Sequence, residues 1–274
     1  RGGEGEVGGR GGLGYAVSAD LTGPAGAGTL LLDPYNLEIK NVGVDVDISG
    51  VGTSASPYGS VAGDTSILSV ATLIAALGTA DVTVKTGGSS AGDGKITVTD
   101  AITWASGKTL TLDAYGTIAI NAPITATAGG LTLKAKAGTF IAPTITTGVG
   151  GDIDVGTFYL QTGAWVQNTA ILPGFKAGDF RLAGGQAVSG SASAPTVTFL
   201  RATGGTGADV ANAWTVADIY GLQGAATVPN RHYKLMADID ASGTANWYGG
   251  AGFSPIGNNA SKFTGSFDGG GEFL

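Results

Sequence analysis

From Tyr15 onward the chain reads as short apolar alternations broken by Gly, Asn and Asp. Thr29-Leu30-Leu31-Leu32, Val44-Asp45-Val46-Asp47-Ile48 and Val82-Thr83-Val84-Lys85-Thr86 are typical. Alternation at period two, with β-branched residues and turn formers at the ends, predicts short half-buried strands. The middle of the chain adds a longer period. Ile96-Thr97-Val98, Ile118-Ala119-Ile120 and Phe140-Ile141-Ala142 start 22 residues apart. A second series, Leu110-Thr111-Leu112, Leu131-Thr132-Leu133 and Ile153-Asp154-Val155, is spaced by 21 and 22 residues. Two interleaved strand series at one period predict a solenoid with at least two strands per coil. A three-residue strand cannot bury its apolar face alone, but stacked on the next coil it pairs its backbone and lines a column. The expected fold is therefore all-β: a right-handed parallel β-helix with coils of about 21–22 residues and short helical decorations. The hand follows the general preference of crossover connections.

Two helical patterns interrupt the strands. Val70, Leu73, Ile74 and Leu77 fall at i, i+3, i+4 and i+7, with Ser69 as N-cap and Gly78 as stop. Trp214, Val216, Ile219, Tyr220 and Leu222 suggest a second helix after Asp209 and before Gly224. Residues 1–14 form a Gly-rich lead-in. A Gly/Ser/Ala stretch over 183–195, followed by rising aromatic density, places a module boundary near 190. The expected organisation is a lead-in at 1–14, a β-helix at 15–190 and a second module at 191–274 that continues the solenoid and is truncated.

Composition narrows the function classes. Gly accounts for 50 of 274 residues and charged residues for 13%, which argues against a helical bundle. The net charge of −7 has the wrong sign for neutralising phosphates, so no nucleic-acid partner is expected. There is no Cys and one His, which removes thiol chemistry, disulfides and any two-His metal site. No uncharged apolar run is long enough to span a bilayer as a helix.

Three Asp-x-Asp pairs could place two carboxylates on one strand face: Asp45/Asp47, Asp152/Asp154 and Asp238/Asp240. Such a pair suits calcium ligation or glycoside hydrolysis, although solvated Asp at a strand end is the commoner role. Asp238 and Asp240 are the metal candidates. They close the cluster Arg231-His232-Lys234-Asp238-Asp240, where an enzymatic reading would have to live. Trp247 and Tyr248, in a Gly-rich stretch, are the ligand-binding candidates, because an exposed ring can stack on a sugar; Tyr58 and Tyr115 are weaker ones. The competing role for these rings is core filling. No phosphate-binding loop or nucleophile elbow is present, and no cofactor is expected.

Several segments resemble known repeat families. Residues 29–39 (TLLLDPYNLEI), 66–88 (SILSVATLIAALGTADVTVKTGG) and 96–135 (ITVTDAITWASGKTLTLDAYGTIAINAPITATAGGLTLKA), which carries Trp104, resemble filamentous-haemagglutinin-like exoproteins of two-partner secretion and related autotransporters. Residues 197–274 resemble the GLUG-type module of bacterial surface proteins. The matching parts are ADIYGLQG (217–224), YKLMADIDASGTANW (233–247), GFSPIGNN (252–259) and FTGSFDGGG (263–271). Residues 1–14 and roughly 157–195 match neither. The resemblance implies a section of a large surface protein, exported through an outer-membrane secretion pore of a Gram-negative bacterium and located at the cell surface or outside it. The expected role is a non-catalytic stalk or adhesin, with glycans or other surfaces as partners, contacted through loops such as 49–65 and 242–262. The alternative is a secreted module that binds or degrades polysaccharide. Unpaired coil edges at a truncated end would favour end-to-end self-association.

Overall fold

The computed structural model describes residues 36–60, 65–87, 94–136, 144–184, 196–259 and 261–273. It also assigns backbone pairing for Gly5–Glu6 with Leu30–Leu31 and for Thr22–Gly23 with Gly26–Ala27. The flexible lead-in expected at 1–14 and the boundary near 190 otherwise lie outside the described residues.

The fold is mostly β, and its larger sheets are parallel. One seven-stranded sheet runs, in spatial order, Thr198–Ala202, Ala164–Asn168, Thr144–Thr147, Ile118–Ile120, Lys95–Val98, Asn36–Lys40 and Thr65–Ser69. The other runs Phe175–Leu182, Ile153–Thr162, Ile124–Ala135, Thr109–Ala114 and Val82–Lys85, with Ile102–Thr103 also paired to Ile124–Ala135. Among the described residues from Val82 to Ala202, successive strands alternate between the two sheets, except that Ile102–Thr103 and Thr109–Ala114 both belong to the second. No strand in this stretch pairs with its immediate predecessor.

The alternating residues explain the register. Val82, Leu110, Leu131, Phe158 and Phe180 form one inward column, and Val84, Leu112, Leu133, Leu160 and Leu182 the next. From the opposite sheet come Leu37, Ile96, Ile118, Ile145, Trp165 and Phe199. These columns make one core whose members are almost fully buried. Each large aliphatic or aromatic side chain so placed contributes roughly 1.5–3 kcal/mol relative to exposure. The columns turn from aliphatic to aromatic along the chain. Phe158 stacks on Phe180 at 5.5 Å and 10°, and Trp165 on Phe199 at 5.7 Å and 11°.

The spacing holds in part. Ile96 pairs with Ile118 and Leu110 with Leu131, as the 22- and 21-residue steps require. The third members differ. Ile118 pairs with Ile145, and Phe140 lies outside the described residues. Leu131 pairs with Phe158, while Ile153 pairs with Ile124. Both steps are 27 residues (118 to 145 and 131 to 158), because register follows the buried columns and not a fixed count.

The first helix forms where expected, over Val70–Leu77. The Ser69 hydroxyl accepts from the Thr72 N–H and Gly78 is the C-cap. Its Leu73 and Leu77 are fully buried in the core. The second is shorter than expected. Trp214–Val216 is a strand, and the helix covers only Ile219–Gly224, capped by the Asp218 carboxylate. Trp214–Val216, His232–Leu235 and Ser266–Asp268 build a third, parallel sheet over a smaller core of Val216, Leu222, Tyr233, Leu235 and Ile239.

The upstream end departs from simple stacking. Asn36–Lys40 lies between Thr65–Ser69 and Lys95–Val98, although it precedes both in sequence. The chain between these strands folds over the outermost ones. Val46 exchanges backbone hydrogen bonds with Ile67 at 2.8 and 2.9 Å. Tyr58 does the same with Thr83 and Lys85 at 2.9 and 2.7 Å. Local chain thus bridges each outermost strand at one position at this end.

Candidate functional site

The cluster at 231–240 does not converge. His232 Nδ1 lies 2.8 Å from the Ser266 hydroxyl on the adjoining strand. Lys234 reaches Asp268 at 3.7 Å, and Arg231 lies over the Trp214 ring, 5.9 Å from its centroid. Asp238 accepts the Phe273 backbone N–H at 2.8 Å. Asp240 accepts the Ser242 N–H at 2.9 Å, and hydrogen bonding from Ser242 holds its carboxyl below the usual range. Each charged group has a separate partner and faces a different neighbour. The premise for a metal pair is corrected too. Asp238 and Asp240 lie beyond the strand His232–Leu235, so strand periodicity does not bring them to one face. Among the described residues no group of three or more His, Asp or Glu side chains is arranged to hold a metal ion.

The other acidic pairs are spent on architecture. Asp45 accepts the Ser69 N–H at 2.6 Å and the Thr72 hydroxyl at 2.9 Å, reinforcing the first helix cap. Asp47 sits at φ 51°, in the left-handed region that favours Gly and Asn. Asp152 accepts the Gly174 N–H at 2.6 Å and ties two successive turns.

Trp247 and Tyr248 are not exposed rings: they are 2% and 7% accessible. Trp247 stacks on Tyr220 at 5.4 Å and on Phe253 at 6.1 Å, and tilts against Phe180 at 5.1 Å. Tyr248, at φ 54°, turns its hydroxyl to the Leu182 N–H at 3.3 Å. Burial pushes its phenol up to about 12. Both residues close the end of the aromatic core, so neither ring face is open to a sugar. Tyr58 is also buried, against Gly52. The signal that would have separated core from surface is the in-register aromatic run Phe158, Trp165, Phe180 and Phe199, which needs a further ring to finish it.

A buried polar network went unnoticed in the sequence. Arg201, 5% accessible, donates to Asp218, to the Gln167 side chain and to the Pro173 carbonyl, and lies over the Phe175 ring. Gln167 continues to the Thr147 hydroxyl. A lone Arg within the apolar strand Thr198–Ala202 was the available clue.

A shallow depression lies at the upstream end. The antiparallel pair Ile48–Ser49 and Gly59–Ser60 bounds an open depression of about 490 Å³, lined by Ser49, Gly50, Ser56, Pro57, Gly59, Lys85 and Gly87. Gly50 adopts φ 85°, and a Cβ there would clash with the Pro57 carbonyl, so the tight approach requires Gly. The lining offers hydroxyls, backbone groups and one exposed cation, Lys85. Such a surface can hydrogen-bond a polar ligand but supplies no acid–base pair. It coincides with the first of the two loops expected to make contacts.

Among the described residues no helix is long and apolar enough to cross a membrane. No family model matches the chain, and no solved structure matches it. A stretch of 65 residues, 22% of the chain, is 42% identical to Halomucin of Haloquadratum walsbyi. That stretch spans 1% of the length of Halomucin.

Proposed function

We propose that this chain is a section of a large extracellular surface protein, a right-handed parallel β-helix that acts as a non-catalytic stalk or adhesin of filamentous-haemagglutinin-like type. The observation that carries the reading is the repeated crossing of the chain between two parallel sheets from Val82 to Ala202, in which no strand pairs with its immediate predecessor. A chain built this way needs only its neighbouring coil for support and can extend to any length. The similarity to Halomucin adds a relative of which 65 residues are 1%, a protein of thousands of residues. The scattering of Arg231, His232, Lys234, Asp238 and Asp240 onto separate partners favours binding over catalysis. The contact surface in this proposal is the depression at Ser49, Ser56 and Lys85, and its ligand class is a neutral or acidic glycan.

A glycan-array screen combined with a reducing-sugar release assay tests the proposal. Binding without release is expected. Release of reducing ends would overturn the non-catalytic reading in favour of a polysaccharide-degrading module. Lys85→Ala with Ser49→Ala is expected to weaken any array signal by about tenfold, the scale of one or two lost hydrogen bonds. An unchanged signal moves the contact elsewhere.

A further inference from the structure

Both long sheets end downstream against one segment of chain. The last strand of one sheet is Phe175–Leu182 and that of the other is Thr198–Ala202. Side-chain hydroxyls meet their backbones where another strand would pair. Tyr220 accepts the Ala177 N–H at 2.8 Å and donates to the Ala177 carbonyl at 3.1 Å. Tyr248 accepts the Leu182 N–H at 3.3 Å. Thr227 accepts the Phe199 N–H at 3.0 Å while donating to the Gly224 carbonyl at 2.7 Å. The helix Ile219–Gly224 lies directly on the second edge. A Cβ on Gly221 would come 2.5 Å from the Arg201 carbonyl oxygen, and one on Gly224 would clash with that of Phe199.

A bare parallel edge is a template for another strand, and a second copy of the same chain carries the matching pattern. We infer that residues 218–254 are an edge plug, which ends both ladders by substituting hydroxyls for a strand and thereby denies them to a second copy of this chain. The plug has three parts. Tyr220 and Tyr248 satisfy one edge, Thr227 satisfies the other, and the stacked rings of Tyr220, Trp247 and Phe253 hold the segment down on the aromatic core. The inference does not depend on the function proposed above.

The test removes the hydroxyls and keeps the apolar bulk: Tyr220→Phe, Thr227→Val and Tyr248→Phe together in the full chain. Sedimentation velocity over a concentration series and amide deuterium exchange are the readouts. At low concentration the amides of Ala177, Leu182 and Phe199 are expected to exchange about tenfold faster than in the native chain. At high concentration the variant is expected to associate at least tenfold more strongly than the native chain, with those amides protected again. Sedimentation and exchange identical to native overturn the inference. Faster exchange without added association also overturns it, since the hydroxyls would then hold backbone without excluding a partner. Should the variant lose its near-ultraviolet dichroism, exchange in the native chain decides. Protection of the three amides at the level of interior strands supports the plug, and exchange at the rate of exposed turns overturns it.

Discussion

Arg201 shows how burial sets the worth of a single charge. Its guanidinium is 5% accessible and faces Asp218, Gln167 and a backbone carbonyl, whereas Lys234 and Asp268 form a pair with both side chains about half exposed. Removing one partner from a buried, hydrogen-bonded pair costs about 3 kcal/mol or more, while a solvated pair is worth under about 1 kcal/mol. Arg201→Met is therefore expected to lower unfolding stability by about 3 kcal/mol in urea titrations, and Lys234→Met by less than about 1 kcal/mol. Similar losses from both would refute this ranking. The buried phenols set the alkaline limit. Tyr248 is raised by burial from 10.0 to about 12, and Tyr220 and Tyr233 are raised in the same direction for the same reason. Above pH 10 the unfolded chain loses phenolic protons that the folded chain keeps, so unfolding releases protons and stability falls as pH rises. The contribution is complete below pH 10 and is lost as pH rises through about 12. Absorbance at the phenolate band, followed with far-ultraviolet dichroism, should show these tyrosines ionising only as structure is lost.

Helices placed against strands carry the sharpest conflict between local and tertiary preference. Ala outranks Gly in a helix interior by about 1 kcal/mol, so propensity alone favours Gly221→Ala and Gly224→Ala. The Arg201 and Phe199 carbonyls stand where those methyl groups would go, and overpacking of this kind costs about 1–3 kcal/mol. Net destabilisation is expected for each variant by thermal unfolding, and stabilisation of either would show that the helix can lift from the strand edge. The first helix was legible in sequence because its information is local. Ser69 caps it, Gly78 stops it, and Val70, Leu73 and Leu77 share the buried face. The second was misread because Trp214 and Val216, which fit a helical spacing, also fit a strand alternation, and pairing with Tyr233 and Leu235 decided the matter. The repeat was legible between neighbours such as Ile96 and Ile118 but slipped at the third member, where buried columns override residue counting. The roles of Tyr220 and Tyr248 could not be read at all, since their backbone partners lie 43 and 66 residues away.

The whole molecule joins two cores through few residues. Ile219 and Phe253 pack against both the large cluster and the smaller one beneath the third sheet. Trp104, Trp165 and Trp247 belong to the first core, and Trp214 to the second. If these contacts couple the cores, tryptophan emission and far-ultraviolet dichroism should report one coincident denaturation transition, and separate midpoints would mean that the cores unfold independently. The strand Asn36–Lys40, set between two strands that follow it in sequence, has a further consequence for the route to this fold. The downstream coils close loops of about 22 residues, as from Ile153 to Phe175, whereas Asn36 meets Lys95 across 59 residues. Loop-closure entropy makes the longer closure about 0.9 kcal/mol harder, roughly a fourfold lower probability of encounter. Coils laid down in order can zip from any nucleus, but the upstream strand must wait until both flanking strands exist. Of the two large sheets, the strand synthesised first is thus among those finished late.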